Sequence, residues 1–191
     1  RLVFEKRHGY GFALQRGLRE AKGDLIIFFD ADGNFPAKDI MKVLAYADDF
    51  DFVKGTRARH ELVEKGIYNQ FVSSLVIVAN ILVSKFQQFL FSGPSLTDAG
   101  CTLRLVNRKT RGLILPHLTV GGGHFLTDMT NLAMLAGVKI IEIPVHFTKR
   151  RGGVSKHGSF FGLAKIALRM IRHTIVQRVL GWLGYYRFEN N

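Results

Sequence analysis

Cysteine occurs once in the 191 residues, at Cys101, so no disulfide can form within the chain and a covalently stapled scaffold is excluded. No activating histidine stands near Cys101 in sequence, which points to buried packing rather than a nucleophile. An uninterrupted apolar run of about 18 residues, the length a membrane-spanning helix needs, is also missing. The best candidate, residues 71–91, is broken by Ser73, Ser74, Asn80, Ser84, Lys85, Gln87 and Gln88, and reads as a long amphipathic helix, buried or interfacial. There are no internal repeats or low-complexity tracts. Acidic residues are scarce: 15 Asp and Glu stand against 27 Lys and Arg, a formal net charge of +12.

That excess favours a polyanionic partner, whether nucleic acid, an anionic membrane face or a phosphorylated substrate. The 16 Phe residues and the positive mean hydropathy tilt the choice toward lipid, because a soluble nucleic-acid binder rarely carries so much apolar surface. The length suits one α/β domain with a substantial core. The chain opens at Arg1 without Met or a signal-peptide pattern, and Leu2 to Phe4 read as a strand already under way, which suggests a missing N-terminal segment.

Helical spacing of Ala13, Leu14, Gly17, Leu18 and Ala21, stopped by Gly23, predicts a helix over 9–22. Leu25-Ile26-Ile27-Phe28-Phe29 is an apolar run of strand length, expected to be a central parallel strand buried on both faces. A helix then follows from Pro36 to Asp48, and a short strand from Phe52 that ends at Gly55-Thr56-Arg57. Beyond the helix at 71–91, a strand is predicted over 101–106, a helix over 125–136 ended by Gly137, and a strand over 139–147 with Pro144 near an edge or bulge. The alternation predicts a sheet flanked by helices. From Phe160 onward the spacing is again helical. Lys165, Arg169 and Arg172 fall on one face, with Phe160, Leu163, Ile166, Ala167, Met170 and Ile171 on the other. Such a helix suits a membrane interface, and equally suits packing on its own domain.

Asp30-Ala31-Asp32-Gly33-Asn34 follows the most apolar of these strands, which places two carboxylates at its carboxyl end, where open α/β sheets bind ligands. Oxygen ligands at this spacing can hold Mg2+ or Mn2+ and leave positions for diphosphate oxygens. Asp, Gly and Asn are also turn residues, so the pentapeptide alone is equally a plain turn. Gly9-Tyr10-Gly11-Phe12-Ala13-Leu14 superficially matches a dinucleotide fingerprint, but Leu14 stands where the third glycine would allow close helix packing.

The order of motifs resembles the family 2 glycosyltransferases, in particular the dolichyl- and polyprenyl-phosphate sugar transferases. The residues that carry the resemblance are Gly9-Tyr10-Gly11-Phe12-Ala13 through Gly23-Asp24; Asp30-Ala31-Asp32-Gly33-Asn34; Val53-Lys54-Gly55-Thr56-Arg57; Thr97-Asp98-Ala99-Gly100-Cys101 with Arg104; and Glu142-Ile143-Pro144-Val145 followed by Arg150, Arg151, Gly152, Gly153, Ser155 and Lys156. The resemblance covers about residues 1–160 and implies a glycosyltransferase A type fold, a Rossmann-like mixed sheet, whose first strand would precede Arg1. It divides the chain into a catalytic domain over 1–158 and an interfacial helical tail over 159–191.

The same resemblance implies that Asp30 and Asp32 bind the donor and, with Asn34, a divalent metal. Arg57, Arg150, Arg151, Ser155 and Lys156 would bind the acceptor phosphate, and Asp98 and Asp128 would be the acids of the catalytic centre. The implied donor is a nucleotide diphosphate sugar and the implied acceptor a polyprenyl phosphate, with the active site on the cytoplasmic side of a membrane. A phosphate acceptor is already anionic, so the two Asp residues would serve orientation, and base chemistry only toward a hydroxyl. Two positions depart from the family pattern: Asp128 stands for a common Glu and Arg7 for a common Asn. There is also no Arg between His60 and Leu103 to give a second phosphate ligand, a place that Lys65 or Lys85 would have to fill. The alternatives are a sugar or other hydroxyl acceptor, or a noncatalytic basic module for membrane or nucleic acid.

Overall fold

The computed structural model describes residues 1–67, 71–150 and 160–188, without the side chains of 71–73, 160, 161 and 163. Ten principal elements follow one another: α1 (Tyr10–Glu20), β1 (Leu25–Phe28), α2 (Asp39–Ala45), β2 (Phe52–Thr56), α3 (Phe71–Phe91), β3 (Arg104–Asn107), α4 (Arg108–Ile114), α5 (Phe125–Leu135), β4 (Ile140–Pro144) and α6 (Phe160–Trp182). The four strands form one mixed sheet in the order β1-β3-β2-β4. β3 runs antiparallel to both its neighbours, and β2 and β4 are parallel.

Alternation along the strands separates two apolar layers, because successive side chains point to opposite faces. Ile26, Phe28, Phe52, Val106 and Ile140 join Leu18 of α1 and Phe125, Met129 and Leu132 of α5 on one face. Val53, Leu105 and Ile143 join Phe35, Val43 and Cys101 on the other. Complete burial of a side chain such as Leu18 stabilises the fold by about 1.5–3 kcal/mol. The Cys101 thiol is buried, and burial pushes its pKa up to about 12, so it is packing and not a nucleophile.

Two expectations fail. β1 is not a central parallel strand: it lies at the edge of the described sheet, antiparallel to β3. Its apolar run is explained by cover on both faces, Ile26 and Phe28 on one and Ile27 on the other, and such cover does not require a neighbour on each side. Residues 2–4 form no strand, since they have no ladder partner among the described residues, and Leu2 and Phe4 are exposed. Further along, the strand predicted from Cys101 starts at Arg104, and the helix predicted from Pro36 starts at Asp39.

The tail helix α6 turns its predicted apolar face inward. Ile166, Ala167, Met170 and Ile171 pack with Val83 of α3 and with Ala99. Deeper in this contact, Asn131 of α5 receives a hydrogen bond from Gln87 of α3 at 2.6 Å and donates to Thr174 and Gln177 of α6 at 3.1 and 2.8 Å.

The start of α1 is fixed by close backbone approach. Gly11 N donates to Gly121 O at 2.9 Å, and a Cβ on Gly11 would stand 2.2 Å from Val120 O and 2.9 Å from the Phe125 Cβ. The glycines of this motif therefore serve helix docking. Gly17, two turns on, has nothing within 4 Å of such a Cβ. Gly11→Ala is expected to cost about 1–3 kcal/mol through forced displacement, whereas Gly17→Ala gains about 0.5–1 kcal/mol of helix propensity. Urea denaturation of the two variants checks this, and equal stabilities would disprove the docking role.

The first turn of α2 is tied to the end of β4. The buried Asp39 carboxylate accepts from the His146 backbone N–H at 2.5 Å and from its Nδ1 at 2.9 Å, and Lys42 Nζ lies 3.1 Å away. Burial alone would raise the Asp39 pKa, but the bonds from His146 and Lys42 bring it below the usual carboxylate value. A carboxylate that ionises more easily when folded contributes stability above its unfolded pKa of about 4, and that contribution is lost as pH falls through the lower folded value. Asp39→Asn should therefore cost about 1–3 kcal/mol near neutral pH, with the gap to wild type closing below about pH 4. A gap that stays constant from pH 7 to pH 3 in denaturation experiments would refute this.

Candidate active site

The two carboxylates of the Asp-Ala-Asp sequence emerge just beyond the last residue of β1. Gly33 has φ of 83°, a left-handed turn conformation that a side chain rarely adopts. Asp32 Oδ1 closes the turn by accepting from the Asn34 backbone N–H at 3.0 Å. The turn is laced to the segment after β4: Thr148 N donates to Asn34 O at 2.8 Å and Thr148 Oγ1 to Gly33 O at 2.7 Å. Two residues on, Arg150 reaches Asp32 Oδ2 at 2.9 Å. The acidic turn and the start of the basic loop are thus joined by main chain and by charge. Asn34 is buried at 8% exposure.

Asp30 is the member of the pair whose carboxyl holds its proton more readily than usual. Burial raises its pKa, and the charge of Asp32 raises it further, against a hydrogen bond from Thr102 and the more distant charges of Arg150 and Arg57. Thr102 is itself held by the Tyr10 hydroxyl at 2.8 Å, and the Tyr10 pKa is pushed up to about 12, mainly by burial, so Tyr10 stays neutral. Tyr10 and Thr102 are the partners that sequence reasoning missed. They lie 92 positions apart, and nothing local to either marks the contact.

The donor set suits a hard divalent cation. A partly buried carboxylate whose proton affinity is raised by burial and by a neighbouring carboxylate would be relieved by positive charge, and the chain itself supplies such charge with Arg150 on Asp32. Among the described residues no group of three His, Cys, Asp or Glu side chains could hold a metal alone. An ion here would therefore complete its shell with Asn34, water or a ligand's phosphate oxygens, as Mg2+ commonly does.

Arg57 follows the last residue of β2. Asp98 clamps it: Arg57 N and Nε donate to Oδ2 at 3.0 and 2.7 Å, and Nη2 donates to Oδ1 at 2.8 Å. The guanidinium lies 5.1 Å from the centroid of the Phe147 ring. Burial alone would raise the Asp98 pKa, but the charge and hydrogen bonds of Arg57 hold it below the usual carboxylate range, which suits a permanent anion and not a proton acceptor. Asp98 and Arg57 therefore act as one unit.

Asp128 is bonded to the tail helix. It is buried in α5, and its Oδ1 accepts from His173 at 2.8 Å and Gln177 at 2.6 Å, both on α6. The His124 ring stands edge-on to His173 at 5.4 Å, and burial lowers the His124 pKa. Among the described residues no hydrogen bond or ion pair joins Asp128 to Asp30, Asp32 or Arg150. Arg151, Ser155 and Lys156 lie outside the described residues.

With this geometry in place, comparison with known proteins is informative. The yeast (Saccharomyces cerevisiae) dolichyl-phosphate beta-glucosyltransferase is 25% identical over 194 residues, which cover 97% of this chain and 56% of that protein. Glucosyl-3-phosphoglycerate synthase of Mycobacterium tuberculosis, in complex with phosphoglyceric acid, superposes with a TM-score of 0.59 at 17% identity, over 92% of this chain and 56% of that one. Its complex with Mn2+, uridine diphosphate and phosphoglyceric acid gives 0.59 at 15% identity, over 92% and 55%. The chain thus spans about half the length of the proteins it matches, and its fold is of the glycosyltransferase A type. The model of the family described as "Glycosyl transferase family 2" matches residues 2–111, which hold Asp30, Asp32, Arg57, Asp98 and Thr102, and the chain belongs to that family.

Proposed function

We propose that this chain carries the catalytic centre of an inverting glycosyltransferase that moves a hexose from a nucleotide diphosphate sugar to a polyprenyl phosphate held in a membrane. The observation that carries the reading is the convergence of an acidic pair and two guanidinium groups: Asp30 lies within electrostatic reach of Asp32, Arg150 and Arg57 together. Such a site can hold a donor diphosphate at one end and an acceptor phosphate at the other.

Asp30 and Asp32, with Asn34, would hold Mg2+ or Mn2+, which when bound supplies positive charge against that developing on the departing nucleoside diphosphate. The name of the yeast relative supports a lipid phosphate acceptor, and the mycobacterial complexes support a divalent ion and a uridine nucleotide. Arg57 suits the acceptor end because a planar guanidinium can bond two phosphate oxygens at once, and Asp98 and Phe147 hold it in orientation. An acceptor phosphate oxygen attacks the anomeric carbon as the bond to the leaving diphosphate breaks, with inversion. Because the nucleophile is already anionic, no proton need be removed. Asp98 then acts through Arg57 and Asp128 through its bonds to α6. Arg150 begins the acceptor loop, to which the sequence adds Arg151, Ser155 and Lys156.

The membrane side is formed by α3 and α6. α3 contains the one described stretch long and apolar enough to cross a bilayer, Ser74–Phe91, by length and composition only. Its outer face exposes Val78, Leu82 and Phe89, and that of α6 exposes Leu168, Ile175, Val176, Val179 and Trp182 among the exposed Lys165, Arg169 and Arg172. Apolar side chains interleaved with cations suit the headgroup boundary of an anionic leaflet, so residues 159–191 serve as an interfacial tail of the catalytic domain at 1–158, on the cytoplasmic face.

In the full-length protein, Asp32→Ala should abolish metal-dependent transfer of labelled hexose into polyprenyl phosphate and weaken Mn2+ binding, with the circular dichroism spectrum unchanged. Arg57→Ala should raise the acceptor KM about tenfold or more with little change for the donor. Near-normal transfer by Asp32→Ala, or product found only on hydroxyl acceptors, would overturn the reading.

A further inference from the structure

The Glu142-Ile143-Pro144-Val145 motif has no part in the site described so far, yet Glu142 is joined to it. Glu142 of β4 is the register partner of Lys54 on β2, and the Lys54 Nζ lies 3.1 Å from Glu142 Oε1 with both side chains buried. Neutralising Lys54 is only part of what this carboxylate does. Its Oε2 accepts from Thr97 N and Thr97 Oγ1, each at 2.6 Å, and its Oε1 accepts from Asp98 N at 3.0 Å. Lys54 adds a bond to the Asp98 carbonyl at 2.8 Å, and Thr56 Oγ1 pairs with Thr97 Oγ1 at 2.7 Å. The backbone of residues 97–98 is thereby held from both sides, and this backbone directs the Asp98 carboxylate that clamps Arg57 and also accepts from Gly100 N at 3.0 Å.

We infer that Glu142, together with Lys54, is a positioning residue for Arg57: the buried pair fixes residues 97–98, and so fixes Asp98 and the direction of the guanidinium that meets the acceptor phosphate. The inference rests on the acceptor reading of Arg57 for its effect on turnover, but not for its effect on the side chain itself. A carboxylate present only to balance Lys54 would need no bonds to both backbone amides. Glu142 spends its acceptor capacity on the peptide groups that aim Asp98. Misdirection of Arg57 should show at the acceptor, because a small displacement of a positioned group is costly when a substrate must be aligned. It should spare the donor, whose carboxylates stand on another loop.

The test compares two variants of the full-length protein with wild type. Glu142→Gln keeps the shape but halves the acceptor capacity. Lys54→Met combined with Glu142→Leu removes the pair together, a replacement that buried ion pairs often tolerate without loss of stability, so a folded protein is available even if the single variant is unstable. Both should raise the acceptor KM about tenfold and leave the donor KM within about twofold. Both should also abolish slow exchange of the Arg57 Nε–H resonance, assigned by its disappearance in Arg57→Lys with 15N-labelled arginine. Folded variants with a wild-type acceptor KM and a wild-type Arg57 resonance would overturn the inference. If Arg57→Ala leaves the acceptor KM unchanged while the resonance is lost in the Glu142 variants, positioning stands and the acceptor reading falls.

Discussion

Two cations that water cannot reach organise this molecule. Lys54 and Arg104 have no exposed surface and are register partners on adjacent strands, β2 and β3. An unpaired charge in such a place costs several kcal/mol, so each must find acceptors in the protein. Lys54 finds Glu142 and the Asp98 carbonyl. Arg104 has no carboxylate partner among the described residues and donates instead to the carbonyls of Cys101, Leu126 and Ala99 and to the Thr130 hydroxyl, at 2.6–3.0 Å. Three of these acceptors, the carbonyls of Asp98, Ala99 and Cys101, belong to residues 98–101. The need to satisfy two buried cations therefore immobilises one short segment, and on that segment or beside it sit Asp98, which holds Arg57, and Thr102, which serves Asp30. Lys54 and Glu142 serve the basic half through Asp98, while Arg104, bonded to Ala99 and Cys101, holds the stretch next to Thr102 on the acidic side.

The helices carry the site toward its surroundings. α5 lies under the sheet and α6 lies against α5 and α3, with Asn131, Gln87, Thr174 and Gln177 bonded to one another at the contact. Polar groups so placed fix the alignment of the helices, because a shift by one position would leave buried amides without partners. Asp128 belongs to this layer. The same docking turns the inner apolar face of α6 toward Val83 and leaves a different set of apolar side chains outside, so the surface offered to solvent is not the one that helical periodicity alone picks out.

What was legible in the sequence was local. The bounds of α3 could be read directly, as could α1, α5 and β4 to within a few residues, because periodicity and glycine stops mark them. The position of Asp30 and Asp32 beyond a strand was legible for the same reason. The neighbours of that strand were not: an apolar run records cover on two faces and says nothing of which strand lies beside it. α4 was missed because it is seven residues long and its signal is one capping side chain, Asn107, which accepts from Thr110 N at 2.8 Å. The Tyr10–Thr102, Lys54–Glu142 and Asp128–His173 contacts were invisible because they join residues far apart in the chain. In each of them a residue type common on surfaces is buried, and nothing but the assembled fold shows where its partner is.

The paired burial of Lys54 and Arg104 also bears on how the sheet avoids mispairing during folding. Side chains alternate strictly between the two faces, and Lys54 and Arg104 share the face of Phe52 and Val106, so a slip of one residue between β2 and β3 would carry one of these cations into the opposite apolar layer of Val53 and Leu105. The slipped cation would leave behind Glu142 or the carbonyls that satisfy it in the native register. An unpaired buried cation costs several kcal/mol, so the slipped register is strongly disfavoured. Residues that look like a burden on stability thus help to specify the register of the strands that carry the candidate site.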